Sequence, residues 1–579
     1  MILQELARYY ERKTNDPDTA LAPEGFEKKD IPFVIILSNN GKFVQIDDTR
    51  TSDGKKKRSR SFLVPQGVKK TSGVAANLLW DTAEYVLGLD IRGKAERVLQ
   101  QHDDFKRRLS ELPADDAGIC AVTAFLAHIP EEELRRSPCW NDIQENNPVL
   151  TFQLNTDNCL VCEREAVVKA LMKGASAPDS ESARGICLVS GAESEIERLH
   201  PAIKGVWGAQ TSGANIVSFN QRSFESYGKE QRQGENAPVG KAAVFAYVTA
   251  LNYLLGKDST QRVQVGDAST VFWSSEENQF EDSFASLWKE PPKDDPDANT
   301  RAVKALYESI KQGSLNISDD ATQFFVLGLA PNAARISIRF WLTGTVKEFS
   351  QRIVEHFSDI AIDHAPYDPP HLSLFRLLAS TALQGKAENI PPNLGGDTMR
   401  AILSGLPYPE TLLSSAIRRI RAEHEVNYQR AALIKACINR KMRRENPAIE
   451  EDLKVSLDPA NTNTGYRLGR LFATLEKVQE EASPGLNATI RDRYYGAASS
   501  TPVTVFSTLL KLKNHHLSKL ENRGRAVNLE RLIGEIADGI TDFPANLTIA
   551  DQGRFAIGYY HQKQAFYARK SEIAEGEQA

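Results

Sequence analysis

At 579 residues the chain exceeds what one hydrophobic core usually organises, so two or more domains are expected. A hydrophobic fraction of 41%, with Leu, Ile, Val and Phe spread along the chain, excludes a long disordered tract. A formal net charge of −5 excludes a protein that coats nucleic acid without selectivity, and six cysteines make no disulfide framework at this length.

The amino terminus, MILQELARYYERK, carries charges at helical spacing without the apolar stretch and cleavage site of a signal peptide. No later run approaches the roughly 18 apolar residues of a membrane span. A cytoplasmic protein without a membrane partner is expected. Ile31 to Leu37 (IPFVIIL) reads as a strand, Asn39-Asn40-Gly41 as a turn, and Lys42 to Asp47 as the returning strand of a hairpin. A basic loop follows. Between Gly54 and Lys70 stand Lys55, Lys56, Lys57, Arg58, Arg60, Lys69 and Lys70, with no acidic residue among them. Charge alone fits a solvated loop; its concentration on one loop also fits phosphate contact.

Helices are predicted over Val74 to Leu87 and Lys94 to Leu109, and strands over Val149 to Leu154, Gly185 to Val189, Ile216 to Phe219 and Thr270 to Trp273. A clearer pair, Phe324 to Leu329 and Arg335 to Leu342, is joined around Pro331-Asn332, and Val346 to Phe357 has helical periodicity. Beyond about Pro391 strand signals end. Pro409 to Arg440 reads as one long helix, and Tyr466 to Val478 places Leu468, Leu471, Phe472, Leu475 and Val478 on one face. Val505 to Leu520, Leu529 to Ile540 and Gln552 to Lys570 continue the pattern. The expected fold class is α+β: a mixed α/β region over 1–390, with room for a subdivision near 120–150, followed by an all-α bundle over 391–579.

Motifs for chemistry are sparse. Gly234 to Ala242 approaches a phosphate-cradling loop, but it has one residue too many and no hydroxyl after Lys241; Pro238 and the apolar run beyond it read as a loop leading into a helix. His102-Asp103 superficially resembles the metal pair of HD-type nucleases. Val98, His102, Phe105 and Leu109 nevertheless share one helical face, which makes His102 a packing residue. His515 and His516, adjacent on a helix, point in different directions. Cys159 and Cys162 form a CxxC with Cys187 at a distance that suits a zinc ribbon, yet Ser190 stands where a further cysteine would complete it, so buried thiols are the preferred reading and no metal or other cofactor is assigned. No GxSxG, HExxH or GxGxxG is present. The balance moves toward binding and away from an enzyme. His200 to Pro238 is dense in Gly, Asn, Gln, Ser and aromatic residues and reads equally as a long structural loop or as a surface for base edges.

Read together, several segments resemble the large subunit of the type I-C CRISPR Cascade complex. They include MILQELARYYER, LAPEGFEKKDIPFVIIL, FLVPQGVKKTSGVAANLLWDTAEYVLGL, HPAIKGVWGAQTSGANIVSFN, SYGKEQRQGENAP, LGLAPNAARISIRFW, GLPYPETLL, YRLGRLFATLEKVQ, RDRYYGAASSTPVTVF and GYYHQKQAFY, in order over nearly the whole chain. The resemblance implies a non-catalytic subunit at the end of the complex that holds the 5′ part of the guide RNA. It would recognise the protospacer-adjacent motif (PAM) in double-stranded target DNA, help open the duplex, support the displaced strand and leave cutting to a separate helicase-nuclease. The basic loop then becomes a phosphate contact together with Lys204, and Gln66, Asn77, Gln210, Asn220 and Asn236 become candidate base-edge or groove readers. Arg467, Arg470, Arg491, Arg493, Lys511, Lys513, Arg523 and Arg525 become candidates for supporting a nucleic-acid strand. The resemblance further implies a small helical subunit translated from inside the same gene; of the four methionines, Met1, Met172, Met399 and Met442, the last is the candidate start. The competing readings are a metal-dependent nuclease using His102 and Asp103, and an RNA-binding scaffold without duplex recognition.

Overall fold

The computed structural model describes residues 1–16, 21–53, 56–68, 73–175, 183–229, 232–289, 298–311, 321–448 and 451–576. They divide into two compact units, Met1–Pro201 with Val217–Tyr253, and Ala202–Ile216 with Leu254–Ala579. The fold class is the expected α+β.

The first unit is built on a four-stranded sheet. Strand β1 (Phe26–Asp30) lies outside it; β2 (Phe33–Leu37) is central and pairs antiparallel with β3 (Phe43–Asp48) through the Gly41 turn. All five residues of β2 are buried, as a strand covered on both faces requires. The basic stretch is more regular than the loop expected of it. Short strands β4 (Thr51–Asp53) and β5 (Lys56–Arg58) pair as a hairpin, and β6 (Ser61–Pro65) returns along β1.

The helix expected over Val74 to Leu87 is also different, because only Ala83–Leu87 is helical and β7 (Trp80–Thr82) precedes it. Asp104 accepts the Ala76 N–H at 2.7 Å, Arg108 donates to the Ala76 carbonyl at 2.8 Å and Asp81 accepts the Asn77 N–H at 2.8 Å. Leu79 adopts a φ of +64°. Side chains thus take the backbone groups that a helix would have used. Strand β8 (Val149–Leu154) completes the sheet in the order β3-β2-β8-β7, parallel to β2. The Ala95–Leu109 and Ala117–Ala127 helices add Phe105 and Phe125, 6.4 and 6.0 Å from Phe152 between ring centres. The strand expected over Gly185 to Val189 stops early, as β9 (Arg184–Ile186) paired with β10 (Glu193–Glu195), where Cys187 turns the chain.

The second unit holds an antiparallel sheet of β11 (Arg262–Val265), β12 (Ala268–Ser274), β13 (Gln323–Asn332) and β14 (Arg335–Thr345) in that order. The β13–β14 hairpin falls where it was expected, with Asn332 opposite Arg335 and a φ of +52° at Ala333. Thr345 and Glu348 form a capping box that starts the Val346–Ile360 helix. No strand forms over Ile216 to Phe219; Asn215 makes an isolated bridge to Arg335. The long helix expected over Pro409 to Arg440 is two, Glu410–Glu423 and Tyr428–Glu445, because His424 turns left-handed at φ +53° and Asn427 caps the new start. All five predicted residues of Thr464–Ala482 are buried. That helix crosses Ile549–Gly576 so closely that a Cβ on Gly469 or Gly558 would lie 2.0 Å from the opposing carbonyl oxygen. One apolar core runs from Val263 to Phe566, so the helices beyond residue 391 share it with the sheet.

Candidate nucleic-acid interface

Antiparallel pairing decides which charges of the first unit share a face. Lys29 stands opposite Phe62, and Lys28 opposite Leu63. The Arg60 guanidinium lies 5.0 Å from the Phe62 ring centre, and the Lys29 ammonium 5.2 Å from that of Trp80. Trp80 is fixed by its Nε1–H, which donates to the Pro65 carbonyl at 2.8 Å. Lys57 and Arg58 are exposed on β5, and Gln66 is exposed just past β6. Lys28 and Lys29 were missed by the sequence reading because Glu27 and Asp30 flank them; only the register brings them beside the basic stretch. Arg50 is a different kind of cation. It binds Asp48 at 2.7 Å and Asp142 at 2.6 Å, its hydrogen bonds hold the Asp48 carboxyl below the usual carboxylate range, and it is committed within the unit.

Lys56 takes part through its backbone, opposite Asp53, while Lys55, Lys69 and Lys70 lie outside the described residues. Asn77 corrects one expectation. It is buried, with Oδ1 accepting the Val68 N–H at 3.0 Å, so it braces the segment that follows Gln66 and offers no edge to a base. Asn236 corrects another. Its Oδ1 accepts the Ser226 N–H at 3.0 Å, while Nδ2 donates to the Gln233 and Lys229 carbonyls at 3.0 and 3.3 Å. Asn220 is exposed.

In the second unit, residues 202–216 form a strap tied by the Ile203 and Ala214 pairing and by Trp207 N–H to Ser269 Oγ at 2.9 Å. Lys204 and Gln210 are exposed on it. So is the Trp207 ring, 61% exposed, which the sequence reading did not single out although the aromatic content of this segment was the available signal.

The helical cations divide sharply. Arg470 is buried, donates to Gln562 Oε1 and Pro459 O, and loses basicity through burial. Arg467 donates to the Asn461 and Gly539 carbonyls. Arg525 makes a two-point pair with Glu481, Lys513 meets Glu530, and Arg491 lies 3.8 Å from both Glu476 and Asp492. These five hold helices together, contrary to expectation. Arg493, Lys511 and Arg523 are exposed and make no ion pair among the described residues.

His102 is buried with Nδ1 2.9 Å from the Tyr85 carbonyl, and burial lowers its pKa; Asp103 is exposed instead of facing it. The loop expected to lead into a helix does so at Lys241, the first residue of the Lys241–Leu254 helix, and Lys241 binds Glu195 at 2.9 Å. Cys162 is buried against the Leu63 carbonyl, with its thiol pushed up by burial, and Cys187 Sγ accepts backbone N–H groups from Val189, Ser190 and Gly240. No three His, Cys, Asp or Glu side chains converge as a metal site among the described residues.

Fold and surface define an α+β protein whose first unit displays a cationic ribbon over a buried Trp80 and a half-buried Phe62. Over residues 6–567 the chain matches the family model of the CRISPR-associated protein Cas_Csd1, and it belongs to that family. No curated protein matches it. The sequence resemblance to a CRISPR component agrees with this at the level of the family. Among the described residues, no helix is long and apolar enough to cross a membrane.

Proposed function

We propose that the chain is the large subunit of a type I-C Cascade surveillance complex. In this role it recognises the PAM in duplex DNA, aids opening of the duplex, supports the displaced strand and receives a separate helicase-nuclease, without cutting DNA or requiring a cofactor itself. The observation that carries the reading is the ribbon: Lys28 and Lys29 on β1, Lys57 and Arg58 on β5 and Arg60 on the linker that leads from β5 into β6, with Gln66 exposed just past β6 on a braced segment. Cations position a duplex through its phosphates, and an exposed amide can read a base edge. Guide pairing supplies most of the sequence information in such systems, so a short reading surface suffices.

The test is co-purification with guide RNA and the partner subunits, followed by binding to duplexes that differ only in the PAM. Tighter binding to one motif is expected. Equal binding to all duplexes would replace the reading with an RNA-binding scaffold. Metal-dependent cleavage abolished by His102→Ala would replace it with a nuclease, against which the burial of His102 argues.

A further inference from the structure

Residues Ser226 to Lys229 form a tight turn, closed by the Lys229 N–H donating to the Ser226 carbonyl at 3.1 Å. Tyr227 has a φ of +56° and Gly228 of +69°, the pattern of a type I′ turn. Gly, Asn and Asp usually fill its first central position, because a larger side chain there crowds the backbone. Tyr227 accepts that strain while 98% exposed, so no packing among the described residues offsets it.

The turn is nevertheless held firmly. Asn236 clamps both ends, accepting from Ser226 N–H and donating to the Lys229 carbonyl, and Lys229 Nζ donates to the Glu235 carbonyl at 2.8 Å. Its base is pinned as well: Gly234 N–H donates to the Arg198 carbonyl at 3.0 Å, and a Cβ on Gly234 would lie 2.3 Å from the Glu197 carbonyl oxygen. At the apex, a Cβ on Gly228 would meet nothing within 4 Å. A braced turn therefore holds one flat aromatic ring out in open space.

We propose that Tyr227 is a stacking platform for an unpaired nucleobase, an assignment that rests on the nucleic-acid-binding role proposed above. A ring with both faces open suits a base, whose own face is flat and whose stacking tolerates any sequence. Asn220, Gln221, Arg222 and Ser223 are exposed on the same segment beside a 39% exposed Phe224, a mainly polar setting unlike the dry apolar surround of a protein-docking anchor.

The experiment uses the full-length chain and oligonucleotides carrying 2-aminopurine, as single-stranded DNA, single-stranded RNA and fully paired DNA. Stacking quenches the fluorescence of this base. The wild type and Tyr227→Phe should bind and quench at least one single-stranded probe, while Tyr227→Gly should weaken that binding by roughly five-fold or more, from the contribution of one stacked base. Gly fits a positive φ, so Tyr227→Gly should melt at or above the wild-type temperature, which separates loss of the ring from misfolding. The DNA and RNA arms identify the source of the base. Unchanged quenching in Tyr227→Gly overturns the proposal, as does an equal loss on paired DNA. Loss of co-purifying subunits with oligonucleotide binding intact would overturn it in favour of protein docking. PAM discrimination, measured separately on paired duplexes, should be the same in Tyr227→Gly as in the wild type, so failure of the large-subunit reading and failure of the stacking site give different results.

Discussion

The ribbon of the first unit and the helical region of the second both present clusters of Lys and Arg in sequence, yet they spend those charges differently. On β5 and the linker into β6 the basic residues are displayed: Lys57, Arg58 and Arg60 are exposed, and Arg60 lies over Phe62. In the helices, Arg467 and Arg470 turn inward to carbonyl and amide oxygens, and Arg525 locks onto Glu481. The difference follows from what lies within reach. Lys57, Arg58 and Arg60 sit on a short exposed strand and its linker, whereas helix packing gives the carboxy-terminal arginines carboxylates and unsatisfied carbonyl groups. A basic cluster is therefore better read together with its potential acceptors than by counting charge.

The sharpest way to break this comparison is Arg470→Ala. Removing a buried cation leaves Gln562 Oε1 and the Pro459 carbonyl without a donor, so urea unfolding should show a loss of about 3 kcal/mol. The salt dependence of DNA binding should not change. If stability is retained and the salt slope falls by about one, Arg470 belongs with the displayed charges.

Titration gives a second contrast. Burial depresses the pKa of His561 to about 4, with its Nδ1 3.0 Å from Tyr466 OH between the two crossing helices. The unfolded chain takes up that proton near pH 6.5, before the folded one does. The stabilising contribution is thus complete above pH 6.5 and is lost as pH falls toward 4, with a slope reaching about 1.4 kcal/mol per pH unit for this group. His561→Gln should flatten the acid limb of a stability profile. The ribbon contains no histidine between Phe26 and Pro65, and its Lys and Arg side chains keep their charge over the same range.

Within the first unit, Asn77 and Gln66 should separate as brace and reader. Asn77→Ala frees the Val68 N–H and should cost about 1 to 3 kcal/mol of stability, with binding weakened alike on every motif. Gln66→Ala should leave melting unchanged and cost about 1 to 3 kcal/mol of binding on the preferred motif alone. Lys57→Ala or Arg58→Ala should each lower the salt slope by about one unit, irrespective of motif. An unchanged slope would make the hairpin a solvated surface.

Periodicity made the β2–β3 and β13–β14 hairpins and the Thr464–Ala482 helix legible, since β2, β13 and one face of that helix carry unbroken apolar patterns. It failed where one residue redirects the chain. Leu79 and His424 adopt positive φ without being Gly, and Cys187 gathers N–H groups that strand pairing would have used. At the site, exposed Lys57, Arg58 and Gln66 were legible from local composition. Lys28 and Lys29 needed the β1–β6 register, and Asn77 and Asn236 were misread because an amide suited to a base edge is equally suited to clamping a backbone turn.

The smallest effect on the full chain is expected from Met442→Leu, which bears on the internal start that the resemblance implies. Met442 is half-buried in the last turn of Tyr428–Glu445, and a Leu there should change stability by less than about 1.5 kcal/mol. A product beginning at Met442 would keep the close pairing of Thr464–Ala482 with Ile549–Gly576, including the Tyr466–His561 and Tyr559–Glu476 hydrogen bonds. It would lose Leu413, Ile434 and Ile438, whose side chains lie within 3.5 Å of where a Cβ on Gly553 would stand. That apolar face of the last helix would then be open, so the product should associate with itself or with the rest of the complex instead of persisting as a free monomer. A carboxy-terminally tagged gene should yield a second band of roughly 15 kDa, the size of one small domain. Met442→Leu should remove the band while leaving the melting of the full chain close to wild type. A band that persists places the start elsewhere, and a free monomer in sedimentation would show that the helices retained after Met442 close their own core.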